Sequence, residues 1–154
     1  MSALELLKAD HEKVQALFEQ VKATEKERQH KQLYKKIKME LETHMYIEEK
    51  VFYPTLKKQE EFKDQVLEAM EEHLQVKTLI RDMDRLADGN ERFAAKLQVL
   101  MDNIEHHVEE EEEELFPQVE EKFSAEDLEK IGVELEAAKK DFTRKARAKA
   151  ATSK

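Results

Sequence analysis

Six side chains in this sequence are spaced for metal chemistry. His44 and Glu48 stand four residues apart and lead through Val51-Phe52-Tyr53 to Pro54. His107 and Glu111 repeat the arrangement 63 residues later and lead through Glu114-Leu115-Phe116 to Pro117. His11 and His73 lie 62 residues apart, each directly after an acidic residue, Asp10 or Glu72. Imidazole nitrogen and carboxylate oxygen are ligands for iron, manganese and zinc alike. Four imidazoles and two carboxylates gathered at one place are the ingredients of a two-metal site.

Helices are what could gather them. Apolar residues recur at helical spacing in five segments, and the six side chains fall in line with the stripes. The first stripe is Leu4, Leu7, His11, Val14, Phe18 and Val21, and the second is Ile37, Leu41, His44, Glu48, Phe52 and Leu56. The third is Val66, Met70, His73, Val76, Ile80 and Met83. The fourth is Leu97, Leu100, Ile104, His107, Glu111, Leu115 and Val119. Ser124, with Asp127 three residues on, is an N-cap for a fifth helix through Leu128, Ile131, Leu135, Ala138 and Phe142. Polar residues 24–31 and Asp88-Gly89-Asn90 are the expected turns, and Pro54 and Pro117 are expected to kink or end their helices. Gly132 weakens the fifth helix by about 1 kcal/mol relative to Ala.

The expected fold is all-α: an up-down-up-down four-helix bundle over residues 1–122, an appended helix over 123–146 and a basic flexible tail over 147–154. Only two glycines and two prolines in 154 residues leave too little punctuation for a sheet protein. With no cysteine, disulfides, iron–sulfur clusters and thiolate zinc sites are excluded, so any metal must be held by nitrogen and oxygen. No run approaches a membrane span, which points to a cytoplasmic protein, and a net charge of −9 argues against nucleic-acid binding.

A simpler reading of the motifs is a pair of internal His–Glu salt bridges. It accounts for His44 and His107 but leaves His11 and His73 without a role. Buried ion pairs also add little stability over apolar replacements. A metal site uses all six groups. In the fourth helix the register is chosen twice over: His107 and Glu111 share the stripe with Ile104 and Leu115, and both match the first motif when Pro117 is set on Pro54. His106 falls on the flank with Asn103 and Glu110, and His30 lies in the polar turn, so both are expected at the surface.

At these residues the chain resembles the hemerythrin-like family, the HHE cation-binding domains, over roughly residues 3–122. The resemblance implies a bundle around two iron ions held by His11, His44, Glu48, His73, His107 and Glu111, with Glu48 and Glu111 bridging and with manganese or zinc as substitutes. Oxygen-carrying members have a fifth histidine one turn after the third-helix histidine; here that residue is Lys77, which leaves an open or water-filled position. Those carriers also place the last carboxylate five residues after the fourth-helix histidine, which keeps Glu112 as a minor alternative to Glu111. The ferritin-like Glu-x-x-His pattern precedes none of the four stripe histidines.

The resemblance thus implies a protein that binds O2, peroxide or NO at a bridged dinuclear centre, with a peroxide-consuming, catalase- or peroxidase-like activity as one outcome. The alternative from another class is a metal- or oxygen-sensing or iron-sequestering module acting through a protein partner. A second copy or a protein partner would meet the C-terminal helix.

Overall fold

The computed structural model describes residues 1–152, which are helical apart from short turns and contain no strand. Helix α1 (Ala3–Lys22) is capped by the Ser2 side chain and followed by a four-residue turn and α2 (Glu27–Ile47). The α2 backbone continues through a π-helical turn (Glu48–Phe52) into α3 (Tyr53–Lys57). Helix α4 (Lys63–Asp84) follows a 3-10 turn (Glu60–Phe62). Helix α5 (Arg92–Glu110) continues through a second π-helical turn (Glu111–Leu115) into α6 (Phe116–Lys122), and α7 (Ala125–Thr152) closes the chain.

Cross-helix pairs fix the directions. Asp10–His44 and Val21–His30 run α1 against α2, while Glu72–His107 and Asp82–Lys96 run α4 against α5. In each case one partner climbs in number as the other falls, so neighbours are antiparallel, as short connections require. Helix α7 lies against α1 and α2.

Two apolar layers sit above and below the histidines. One is built from Leu4, Leu7, Phe52, Leu56, Val66, Phe116 and Val119 and is sealed by Leu128, Ile131 and Leu135 of α7. The other holds Val14, Phe18, Ile37, Leu41, Val76, Ile80, Leu97 and Ile104. The polar side chains between them are therefore buried on both sides.

Several expectations need correction. The first turn spans only residues 23–26, and His30 is half-buried within α2. Its Nε2 donates to the Val21 and Thr24 carbonyls (3.0 and 2.6 Å), which ties the start of α2 to the end of α1 and the turn after it. On α4, Met70 is 38% exposed and Ala69 takes its place in the core. Of the kink or end expected at the prolines, the end does not occur: each sits in the first turn of a new α segment behind a π-helical turn, where its missing N–H costs least. The last helix runs to Thr152, so it extends past 146 into the stretch expected as a basic flexible tail, and residues 153–154 lie outside those described.

Gly132 gains a reason that its helix propensity hides. A Cβ there would collide with the backbone of Met1, Ser2 and Ala3, so glycine lets α7 cross the start of α1 at backbone contact. Ser124 caps α7 as expected, accepting from the Asp127 amide at 3.0 Å. Gly89 turns the α4–α5 connection at φ 81°, the left-handed region.

Candidate metal centre

The stripe spacing explains the π turns. His44, Glu48, Phe52 and Leu56 are separated by steps of four, as are His107, Glu111, Leu115 and Val119. At 3.6 residues per turn, each step of four drifts about 40° around an α-helix, and three steps would carry the stripe off the core. Widening one turn takes up the drift. The amides of Tyr53 and Phe116 accordingly reach back five residues, to the carbonyls of Glu48 and Glu111. All four positions on each stripe stay buried.

All six sequence-derived candidates meet between the apolar layers. His11, His44, His73 and His107 are 3–7% exposed, Glu48 0% and Glu111 3%. The Nε2 atoms face inward. Glu48 Oε1 lies 3.2 Å from both His44 and His73, while Glu111 lies 3.3 Å from His11 and 3.5 Å from His107. The donors fall into two groups able to hold an ion, His11–His44–Glu111 and His73–His107–Glu48. The repeat exchanges these groups, and each carboxylate touches one histidine from each.

Every outward Nδ1 donates to a carboxylate. The pairs are His11–Glu112 (2.6 Å), His44–Asp10 (2.9 Å), His73–Glu49 (2.8 Å) and His107–Glu72 (2.6 Å). This fixes the tautomer that leaves Nε2 free and orients each ring, the usual arrangement around histidine ligands. The acidic residues before His11 and His73 thus serve the histidines of the next helix, not their neighbours in sequence. Glu112 bonds the outward Nδ1 of His11, while Glu111 stands on the inner side against Nε2 of the same ring. Sequence reasoning did not assign Glu49 or give Glu112 this role, although the two stand 63 residues apart beside Glu48 and Glu111, which was the available signal.

Lys77 does not approach the core. Its Nζ bonds Glu49 Oε1 at 2.7 Å on the outer face, so it steadies the carboxylate that holds His73. His106 is exposed as expected and pairs with Glu110 at 2.7 Å. Lys139, on α7, binds the other oxygen of Asp10 at 2.5 Å and so ties the fifth helix to His44. Sequence gave no sign of that contact, which depends on how α7 crosses the bundle. Tyr53 was noted only as an aromatic before proline; its hydroxyl is buried and donates to Glu111 Oε2 at 2.6 Å.

Without a cation, protons take up the charge. Burial disfavours charged His44, but the Glu48 carboxylate and the Asp10 hydrogen bond outweigh it and push the imidazole up to about 10. His107 rises well above the ordinary range against the same burial penalty, through Glu111 and Glu72, and His73 rises through Glu48 and Glu49. Glu111 is held well below the carboxylate range despite its burial, because the facing imidazoles of His107 and His11 favour its charged form. Even so, His11 Nε2, His44 Nε2, both Glu48 oxygens and Glu111 Oε1 are buried without a hydrogen-bond partner. Unpaired polar atoms in an interior are costly, and five converging on one spot are a donor set that a cation would satisfy.

Two spaces adjoin the centre. A cavity of about 20 Å³ lies between the four histidines and Val14, Leu41, Val76 and Ile104, just above the roughly 10–15 Å³ one water needs. A surface cleft of about 80 Å³, lined by Glu68, Glu72, Glu110 and Glu114, reaches His107 and Glu111.

The model of the hemerythrin HHE cation-binding domain matches residues 2–119. A DNA nickase of Nostoc sp. (strain PCC 7120) is 26% identical over 139 residues, 90% of this chain, and the chain spans 39% of that relative's length. The crystal structure of a hemerythrin HHE cation-binding domain-containing protein from Mycobacterium kansasii superposes with a TM-score of 0.83. It is 24% identical, and the match covers 99% of this chain and 93% of that one, which establishes a common fold.

Proposed function

The chain belongs to the hemerythrin HHE cation-binding family, and from that premise we propose that it holds two iron ions and binds O2, peroxide or NO beside them. His11, His44 and Glu111 would hold one ion and His73, His107 and Glu48 the other, each carboxylate standing within 3.5 Å of a histidine from both groups. The observation that carries this reading is the set of five buried donor atoms that make no hydrogen bond, shared between two groups that the internal repeat interchanges. Four of them stand in His–Glu contacts of 3.2–3.3 Å, and those contacts still leave them without a hydrogen bond.

Bound iron would supply the electrons and the open coordination position for the small ligand. The protein supplies the rest. The Nδ1–carboxylate pairs hold each ring in place and keep Nε2 basic. The apolar layers exclude bulk water, and the cavity of about 20 Å³ beside the imidazoles has room for about one water-sized ligand. The acidic cleft reaching His107 attracts cations to the same spot. Manganese or zinc would satisfy the same donors.

A second reading, in which metal state is reported to a protein partner, draws on one contact. Lys139 links α7 to Asp10 and through it to His44, so loading at His44 is felt by the fifth helix.

Metal analysis of protein purified from iron-replete cells, with optical spectra before and after air reaches the reduced form, tests the leading reading. Two irons per chain and a near-ultraviolet oxo-bridge band on oxidation are expected. One ion or none, with full helicity, would refute it.

A further inference from the structure

The two half-repeats put the same kind of polar group at each histidine and carboxylate position around the centre. His11 corresponds to His73, His44 to His107, Glu48 to Glu111 and Glu49 to Glu112, with Asp10 and Glu72 both acidic; Tyr53, however, corresponds to Phe116. Both rings are 1% exposed and precede a proline at the same point of a π turn, so packing alone would be served by phenylalanine twice. Instead one half places a phenol in the donor group. Tyr53 Oη lies 3.3 Å from His73 Nε2 and 3.4 Å from His107 Nε2, separations as short as those between the inner carboxylates and the histidines. Phe116 lies flat against His11, ring centroids 5.9 Å apart and 2° from parallel, and offers no polar atom there.

Resting on the dinuclear reading above, we infer that Tyr53 is a further ligand of the ion held by His73 and His107. Phe116 then leaves the ion held by His11 and His44 with the position where the small ligand attaches. The centre is thus asymmetric within a symmetric frame. On ligation the phenolic hydrogen that Tyr53 donates to Glu111 leaves for solvent, and an oxygen–metal bond forms in its place. A hard anionic oxygen added to one half favours trivalent iron there over zinc or manganese(II).

Resonance Raman spectroscopy of the oxidised protein carrying two irons tests this. Phenolate ring modes, enhanced by a tyrosinate-to-iron charge-transfer band, are expected in the parent protein and absent in Tyr53→Phe at the same iron content and helicity. Phe116→Tyr is expected to add a second phenolate and to exclude azide, used as the probe ligand, which the parent protein binds. Two irons without phenolate modes would overturn the tyrosine assignment while leaving the dinuclear reading intact; a protein that binds no iron would overturn both. Unchanged azide binding in two-iron Phe116→Tyr would overturn the assignment of the open position.

Discussion

Protons and metal ions compete for the same nitrogens here, and the competition has a slope that can be measured. In the ion-free chain His44 holds its second proton up to about pH 10, against 6.5 for an unconstrained imidazole. A metal at Nε2 must displace that proton. At pH 7 the displacement costs about 4 kcal/mol, three pH units at 1.36 kcal/mol each, or about a thousandfold in apparent affinity. Raising pH from 7 to 9 removes about two of those units, so affinity should rise about a hundredfold from His44 alone. His73 and His107, also raised, steepen the rise.

Stability of the ion-free chain should move the opposite way. A raised folded value stabilises the fold fully below the unfolded value near 6.5 and is lost as pH climbs through about 10. The assay is competition for Zn2+, which is redox-inert, against a chromophoric chelator from pH 7 to 9, corrected for the chelator's own protonation. Melting curves of ion-free and zinc-loaded protein accompany it. The ion-free midpoint should fall over this range while the zinc-induced shift grows. A gain in affinity of less than about threefold would refute the reasoning, because the imidazoles would then not be protonated in the ion-free core.

Glu48→Ala and Glu111→Ala each remove a carboxylate touching both donor groups, and metal counting should find one ion or none, whereas exposed His106→Ala should keep two. Asp10→Ala frees the His44 ring and should weaken metal binding by about 10–100-fold in the chelator assay, with Glu112→Ala matching it at His11. Lys139→Ala, one step further out, should have a smaller effect in the same direction. Gly132→Ala should lower thermal stability by about 1–3 kcal/mol despite alanine's better helix propensity, since α7 must move off the Met1 backbone.

The stripes, the paired motifs and the choice of His107 over His106 were legible in the sequence, because helical periodicity and an internal repeat are properties of the chain itself. So were the π turns, had the steps of four been compared with 3.6. Lys77 shows where such reasoning stops: spacing placed it one turn beyond His73, but the nearest counter-charge is Glu49 on the neighbouring helix, and the long stem follows that charge outward.

The partners of the Nδ1 atoms lie 24 to 101 residues away along the chain. Sequence named Asp10, Glu72 and Glu112 without saying which histidine each would hold, and passed over Glu49, because the pairing depends on which helix lies alongside. The same holds for Lys139, which the sequence shows only as one lysine of the fifth helix until α7 is laid across α1, and for Gly132, which reads as a weak point until the start of α1 passes beneath it. Periodicity along the chain determines which face of each helix is buried. Only packing decides which buried or half-buried groups meet, because hydrogen bonds and ion pairs act over a few ångströms in space and are indifferent to separation along the chain.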